Sequence, residues 1–135
     1  MWDEIPDGAD RAPMSSSYRD LRVWQKSMDL AEHVYRMTES FPKAELYGLT
    51  SQVRRSAVSI PSNIAEGQGR TTKGEFRLFL GNSRGSLLEL ETQLMLASRM
   101  KYLDTGALSG ILEECATVGS MLNGLLTSVS KSSIR

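Results

Sequence analysis

Four stretches of this chain repeat their apolar residues at alternating intervals of three and four, and that spacing leaves few folds open. In the longest run, Phe76, Leu80, Ser83, Leu87, Leu90, Leu94 and Ala97 follow one another at 4, 3, 4, 3, 4, 3. An α-helix returns to the same face about every 3.6 residues, so such a series is one stripe along one helix. Leu108, Ile111, Cys115, Val118, Leu122, Leu125 and Val129 repeat the pattern. So do Leu46, Leu49, Val53, Ser56, Ile60 and Asn63, flanked by Ala57 and Ile64, and the shorter series Leu21, Trp24, Met28, Ala31 and Tyr35. No segment alternates with the period of two that a half-buried strand requires. The expectation is an all-α chain folded as an antiparallel, up-down-up-down four-helix bundle with short connections.

Punctuation between the stripes sets the boundaries. Phe41-Pro42-Lys43 ends the first helix, and Gly67-Gln68-Gly69-Arg70 follows the second, with Gly67 expected just past its end. Thr72 and Glu75 have capping-box spacing, and Asp104 or Thr105 suits the start of the fourth helix. Pro61 falls inside the second helix, where a proline removes a backbone hydrogen bond at a cost of about 3 kcal/mol. The apolar phase passes through it without a reset, which predicts one kinked helix rather than two. Residues 1–17, mixed in Pro, Gly, Asp and Ser, read as a disordered tail, 18–130 as the bundle domain and 131–135 as a frayed end.

The first helix carries more apolar residues than one stripe needs. Val23, Leu30 and Met37 recur every seven residues, with Val34 between them and the Leu21–Tyr35 series. Taking that series as the bundle core, Val23, Leu30, Val34 and Met37 are expected to meet another subunit. Gly81 and Gly85, four apart, would admit a second backbone closely.

Chemistry is sparse. Four-helix bundles that hold di-iron sites use Glu-x-x-His pairs and inward carboxylates. The one histidine, His33, follows Glu32 and has no glutamate three residues before it, and Glu89 and Glu91 point in different directions. Neither a metal nor haem is expected. Cys115 is the single cysteine, so no internal disulfide forms, and its helical phase places it among apolar residues. No nucleophile motif surrounds it or any serine, and Gly67-Gln68-Gly69 lacks the strand and Gly-Lys-Ser/Thr ending of a phosphate loop. The chain therefore reads as non-enzymatic, with no cofactor and no small-molecule substrate. No apolar run nears the roughly 20 residues that span a bilayer. The acidic N-terminus has no apolar core of a signal peptide, so no membrane association and a cytoplasmic location are expected.

Charge is balanced overall at 16 basic and 16 acidic residues, but not along the chain. Residues 51–84 hold six basic and two acidic side chains. Arg70, Arg77 and Arg84 recur every seven residues beside the core stripe of the third helix, Lys73 joins them in its first turn, and Arg54 and Arg55 precede Pro61. Facing outward together, these six would form a ridge for the phosphates of a nucleic acid. No aromatic residues are interleaved with them for base stacking.

Three segments carry a resemblance. Asp20-Leu21-x-Val23-Trp24-Gln25-Lys26 opens the first helix. Gly48-Leu49-Thr50-Ser51-Gln52-x-Arg54-Arg55 leads to Ser59-Ile60-Pro61-Ser62-Asn63-Ile64-Ala65-Glu66-Gly67, and Gly85-Ser86-Leu87-x-Glu89-Leu90-Glu91-Thr92-Gln93-Leu94 follows. Over about residues 18–127 the chain resembles the four-helix bundle proteins encoded within intervening sequences of bacterial 23S rRNA genes. That family is similar to the accessory variability proteins of diversity-generating retroelements. The resemblance implies an antiparallel bundle, a homopentamer, and basic surfaces that bind nucleic acid and a reverse transcriptase. The acidic N-terminal extension and the neutral overall charge depart from it. The leading expectation is an oligomeric bundle that binds RNA or a ribonucleoprotein through Arg54, Arg55, Arg70, Lys73, Arg77 and Arg84. The alternative is a protein-interaction scaffold in which those cations are consumed by internal pairs.

Overall fold

A computed structural model describes residues 17–132 of the chain. Four α-helices follow in order: α1 (Arg22–Met37), α2 (Leu49–Gln68), α3 (Lys73–Arg99) and α4 (Thr105–Ser132). Single 3-10 turns lie at Tyr18–Asp20, Thr38–Ser40 and Lys43–Glu45, and the described residues contain no strand. Each helix packs on its two neighbours, α1 on α2 and α4, and α3 on α2 and α4, which closes a four-helix bundle. The α2–α3 contacts pair falling with rising numbers, Gly67 with Phe76 and Phe79, Ile60 with Ser83, Ser59 with Ser86. These two helices therefore run antiparallel.

The stripes of α3 and α4 point inward as their spacing predicts. Leu80, Ser83, Leu87, Leu90, Leu94 and Ala97 are buried, and so are Ile111, Cys115, Val118, Leu122 and Val129. On α2 the buried line is Leu49, Val53, Ser56, Ala57, Ile60, Pro61 and Ile64. The helix runs unbroken through Pro61. It starts three residues later than Leu46, which stands 47% exposed at the end of a 3-10 turn.

On α1 the inward face centres on the second stripe, with Ala31 of the first buried beside it and Leu21 and Trp24 half-buried against the core. Val23, Leu30 and Val34, expected at an intersubunit contact, are buried within this one chain, and Met37 is half-buried against the same core. Met28 and Tyr35, expected inside, are exposed at 45% and 44%. Ser27 explains the choice. It is fully buried between Val23 and Leu30, its hydroxyl donating to the Val23 carbonyl at 2.6 Å, so a small satisfied serine completes the inward stripe.

Helix ends are closed by side chains from nearby turns. Thr72 Oγ1 accepts the Glu75 N–H at 3.1 Å and Asp104 Oδ1 accepts the Ala107 N–H at 2.7 Å, as the sequence predicts for α3 and α4. The start of α2 has no such residue at Gly48. Glu45 serves it instead: Oε1 accepts the Leu49 N–H and Oε2 accepts the Tyr102 hydroxyl, both at 2.9 Å. The Leu49 N–H, then the Tyr102 hydroxyl, hold the Glu45 carboxyl below its ordinary range, and the same bond, with burial, pushes the Tyr102 phenol up. One carboxylate thus ties the α1–α2 connection to the α3–α4 turn. At the end of α3, Lys101 N–H bonds the Ser98 carbonyl at 3.0 Å and Tyr102 N–H the Ala97 carbonyl at 2.9 Å, with Lys101 at φ 67°. This is a Schellman ending, with a lysine where glycine is usual. Gly67, expected just past α2, lies inside the helix and is buried.

Candidate functional site

Small residues bring α2 and α3 close. The Ser83 hydroxyl donates to the Ile60 carbonyl, and Ser59 and Ser86 hydroxyls share a bond of 2.8 Å. Asn63 Nδ2 donates to the Ser59 carbonyl at 2.8 Å and to its hydroxyl at 2.9 Å. Above this seam the helices part to leave a cleft of about 310 Å³ lined by Gln52, Arg55, Ser56 and Ser59 from α2 and Glu89 and Gln93 from α3. The spacings place these groups: 52, 55/56 and 59 share one edge of α2, and 86, 89 and 93 one edge of α3. Every lining residue is polar. Arg55 and Glu89 are exposed, and among the described residues neither makes a salt bridge. Gln93 Oε1 is shut off from solvent with no hydrogen-bond partner.

The six expected cations do not form one ridge. Arg54 turns towards α1, where Nε donates to Thr38 Oγ1 at 2.8 Å and a terminal nitrogen to the Tyr35 carbonyl at 3.2 Å. Its guanidinium lies 4.6 Å over the Tyr35 ring. It closes the C-terminal end of α1, as a cation there should, and is thereby withdrawn from a phosphate-binding role. Arg70 is held by Glu66 at 2.7 Å and lies 4.8 Å over the Phe79 ring. Lys73, Arg77 and Arg84 are exposed along α3. Arg84 stands nine residues before Gln93, about two and a half turns, so it is on the side of α3 away from the cleft. Arg55 alone of the six reaches the cleft.

Sequence reading missed the cleft itself. The signal lay in the polar residues at 52, 55, 56 and 59 and at 86, 89 and 93, two helical edges whose meeting needs the α2–α3 pairing. They belong to the second and third of the segments on which the resemblance rests.

Three other features complete the surface and interior. A second groove, lined by Trp24, Met28, Tyr35, Val58, Pro61 and Ala65 among others, runs between α1 and α2 and is mostly apolar. His33 Nδ1 and Glu114 Oε2 lie 2.6 Å apart and join α1 to α4. Cys115 is fully buried; burial first, then the charges of Glu91 and Glu114, pushes its thiol up to about 12. Among the described residues no group of His, Cys, Asp and Glu is placed to hold a metal ion. No described helix is long and apolar enough to cross a membrane.

No curated protein matches the chain in sequence. Among solved structures it is similar to a protein of unknown function from the S23 ribosomal protein family of Bacteroides thetaiotaomicron, with a TM-score of 0.70 at 21% identity. The match covers 77% of this chain and 97% of that one, and at this identity it speaks for the shared fold alone. The family model described as 23S rRNA-intervening sequence protein matches residues 19–124. The chain belongs to the 23S rRNA-intervening sequence protein family.

Proposed function

We propose that this chain is a non-enzymatic, oligomeric bundle that binds RNA or a ribonucleoprotein through α2 and α3. The observation that carries the reading is the state of Arg55 and Arg84. Both are exposed, and among the described residues neither is paired with a carboxylate, in a segment of six basic and two acidic residues. Lys73 and Arg77 share the outer edge of α3 with Arg84, separate from Arg55 at the cleft, whereas Arg54 and Arg70 act in packing. Fluorescence anisotropy with a labelled structured RNA over a salt series tests it. Binding that weakens linearly in log affinity against log salt is expected if phosphates are neutralised. No binding by micromolar protein at low salt overturns it.

The second reading is a protein-interaction scaffold. It draws on the α1–α2 groove, where Met28, Tyr35 and Val58 expose apolar surface, and on Gly81 and Gly85, beside which nothing lies within 4 Å. These residues replace Val23, Leu30 and Val34 as the candidate contact between copies. A pentamer and a reverse transcriptase partner are carried by the resemblance. Light scattering decides the oligomer, since a particle of 15.0 kDa is a monomer.

A further inference from the structure

The groove between α1 and α2 has a volume of about 620 Å³ and is walled by Tyr18, Trp24, Met28, Tyr35 and Val58. Met28, Tyr35 and Val58 are exposed at 45%, 44% and 41%. Apolar surface gathered in one place marks a site of contact. Glu32, the acid in the lining, is held by Arg36. At one end the chain itself already enters the groove. The 3-10 turn Tyr18–Asp20 touches both α1 and α2, and the Tyr18 ring stands edge-on to Trp24 with centroids 5.3 Å apart. Residues 1–16 lead into this turn, so they join the bundle at the groove's mouth. At the other end stands a cation without a carboxylate. Arg54 bonds neutral acceptors, Thr38 Oγ1 and the Tyr35 carbonyl, and with Lys43 it borders the adjoining hollow. Neither makes a salt bridge among the described residues.

We infer that residues 1–16 lie along this groove and close it, with Pro13 and Met14 against Met28, Tyr35 and Val58, and with Asp7 and Asp10 at Arg54 and Lys43. Reach, composition and charge all agree with this occupant. Helix rise puts Tyr35 about 16 Å along the groove from Trp24. An extended chain covers about 3.3 Å per residue, so about five residues back from Tyr18 suffice, and Met14 and Pro13 are among them. Asp10, at about 26 Å, passes the Tyr35 end and comes to the cations there. Proline turns the residue before it away from the helical region, so Ala12-Pro13 favours an extended path. Extended proline-bearing segments dock in grooves lined by aromatic rings, which Tyr18, Trp24 and Tyr35 supply. Asp3, Glu4, Asp7 and Asp10 against Arg11 make the segment acidic, and Arg54 and Lys43 complement it. Tethered at the groove's mouth, the segment meets it at an effective concentration of about millimolar. A second copy or any other partner gains the groove only by displacing it, so the scaffold surface is one that the chain guards.

The test is methyl NMR of the full chain labelled with ¹³C-methyl methionine, which reports Met14 and Met28 among seven methionines. A cross-peak between the Met14 and Met28 methyls, equally strong at all protein concentrations, is expected. Met14→Asp should shift the Met28 signal and leave that of Met121, on α4, in place. Asp7→Asn combined with Asp10→Asn should weaken the cross-peak at low salt, and parent and variant should become alike near about 1 M salt, where charges are screened within about 3 Å. Circular dichroism verifies that the variants are folded. No cross-peak, or a Met28 signal unmoved by Met14→Asp, overturns the docked segment. A Met28 signal that moves on dilution but not with Met14→Asp gives the groove to a second copy and also overturns it. So does a cross-peak between labelled and unlabelled chains in a mixed sample, because the segment then comes from a neighbour. A cross-peak unchanged by the paired asparagine substitutions at low salt overturns the assignment of Asp7 and Asp10 to Arg54 and Lys43.

Discussion

Replacing Gly67 with alanine should separate α2 from α3 where Gly67 packs on Phe76 and Phe79. The new Cβ would stand 2.7 Å from Phe79 Cβ and 3.0 Å from Phe76 Cδ1. Ordinary contact begins near 3.4 Å, so the first distance is about 0.7 Å short. Phe79 Cβ moves only with its backbone, so no rotamer change relieves the contact and the helices themselves must give way. Overpacking of this kind costs about 1–3 kcal/mol. Alanine offsets about 0.5–1 kcal/mol of it through its better helix propensity. The net expectation is a loss of up to about 2.5 kcal/mol. Gly81 and Gly85 are controls within the same bundle, since a Cβ at either meets nothing within 4 Å. Gly81→Ala and Gly85→Ala should each gain the propensity term, about 0.5–1 kcal/mol. Urea unfolding followed by far-ultraviolet circular dichroism measures all three, with comparable slopes showing that only stability has changed. Each kcal/mol should move the melting temperature by roughly 3–6 °C in a chain of this length. A Gly67→Ala midpoint that rises as those of Gly81→Ala and Gly85→Ala do would refute the reasoning, because the close approach would then be costless.

Leu30→Ala, at a side chain 1% exposed, should lower the unfolding free energy by about 2–5 kcal/mol. Were Leu30 an intersubunit residue, light scattering would show dissociation with the monomer's midpoint unchanged. Lys101→Gly should raise stability by up to about 1 kcal/mol, because φ 67° strains a side-chain-bearing residue and not glycine; calorimetric melting measures it. The Glu45 carboxyl is held below its usual 4.5, so its contribution is full above that pH and is lost as pH falls through the lower folded value. In melts across an acid series, the parent should therefore lose more stability below about pH 4.5 than Glu45→Gln does.

How much of this was legible in the sequence varied by helix, for physical reasons. The α3 and α4 stripes each run seven positions at regular spacing, longer than any competing series on their helices, so spacing sufficed to place Leu87, Leu94, Ile111 and Leu122 inside. Helix α1 carries two stripes, and periodicity gives their separation but not which one faces in. Ser27 counts as polar in any pattern and yet completes the inward stripe, because its hydroxyl is satisfied within its own helix. Arg54 and Arg55 are neighbours in sequence about 100° apart on the helix, so one locks α1 while the other enters the cleft. The cleft was illegible because its two polar edges look, separately, like solvated helix surface. The Glu45 cap and the Lys101 turn were hidden by residue choice, an acid three positions before Gly48 and a lysine in a glycine role.

The buried thiol of Cys115 makes the chain its own stability probe. Thiol reagents attack the thiolate, and a group fully buried and pushed up to about 12 offers almost none while the bundle is closed. Labelling then proceeds only through openings that bring the middle of α4 into water, and its rate under native conditions counts those openings. A ligand held between α2 and α3 never touches Cys115, yet it slows labelling through every opening that also breaks the α2–α3 seam. Protection of this one cysteine is thus a reagent-based readout of any ligand that binds the closed bundle, and it needs no label on that ligand.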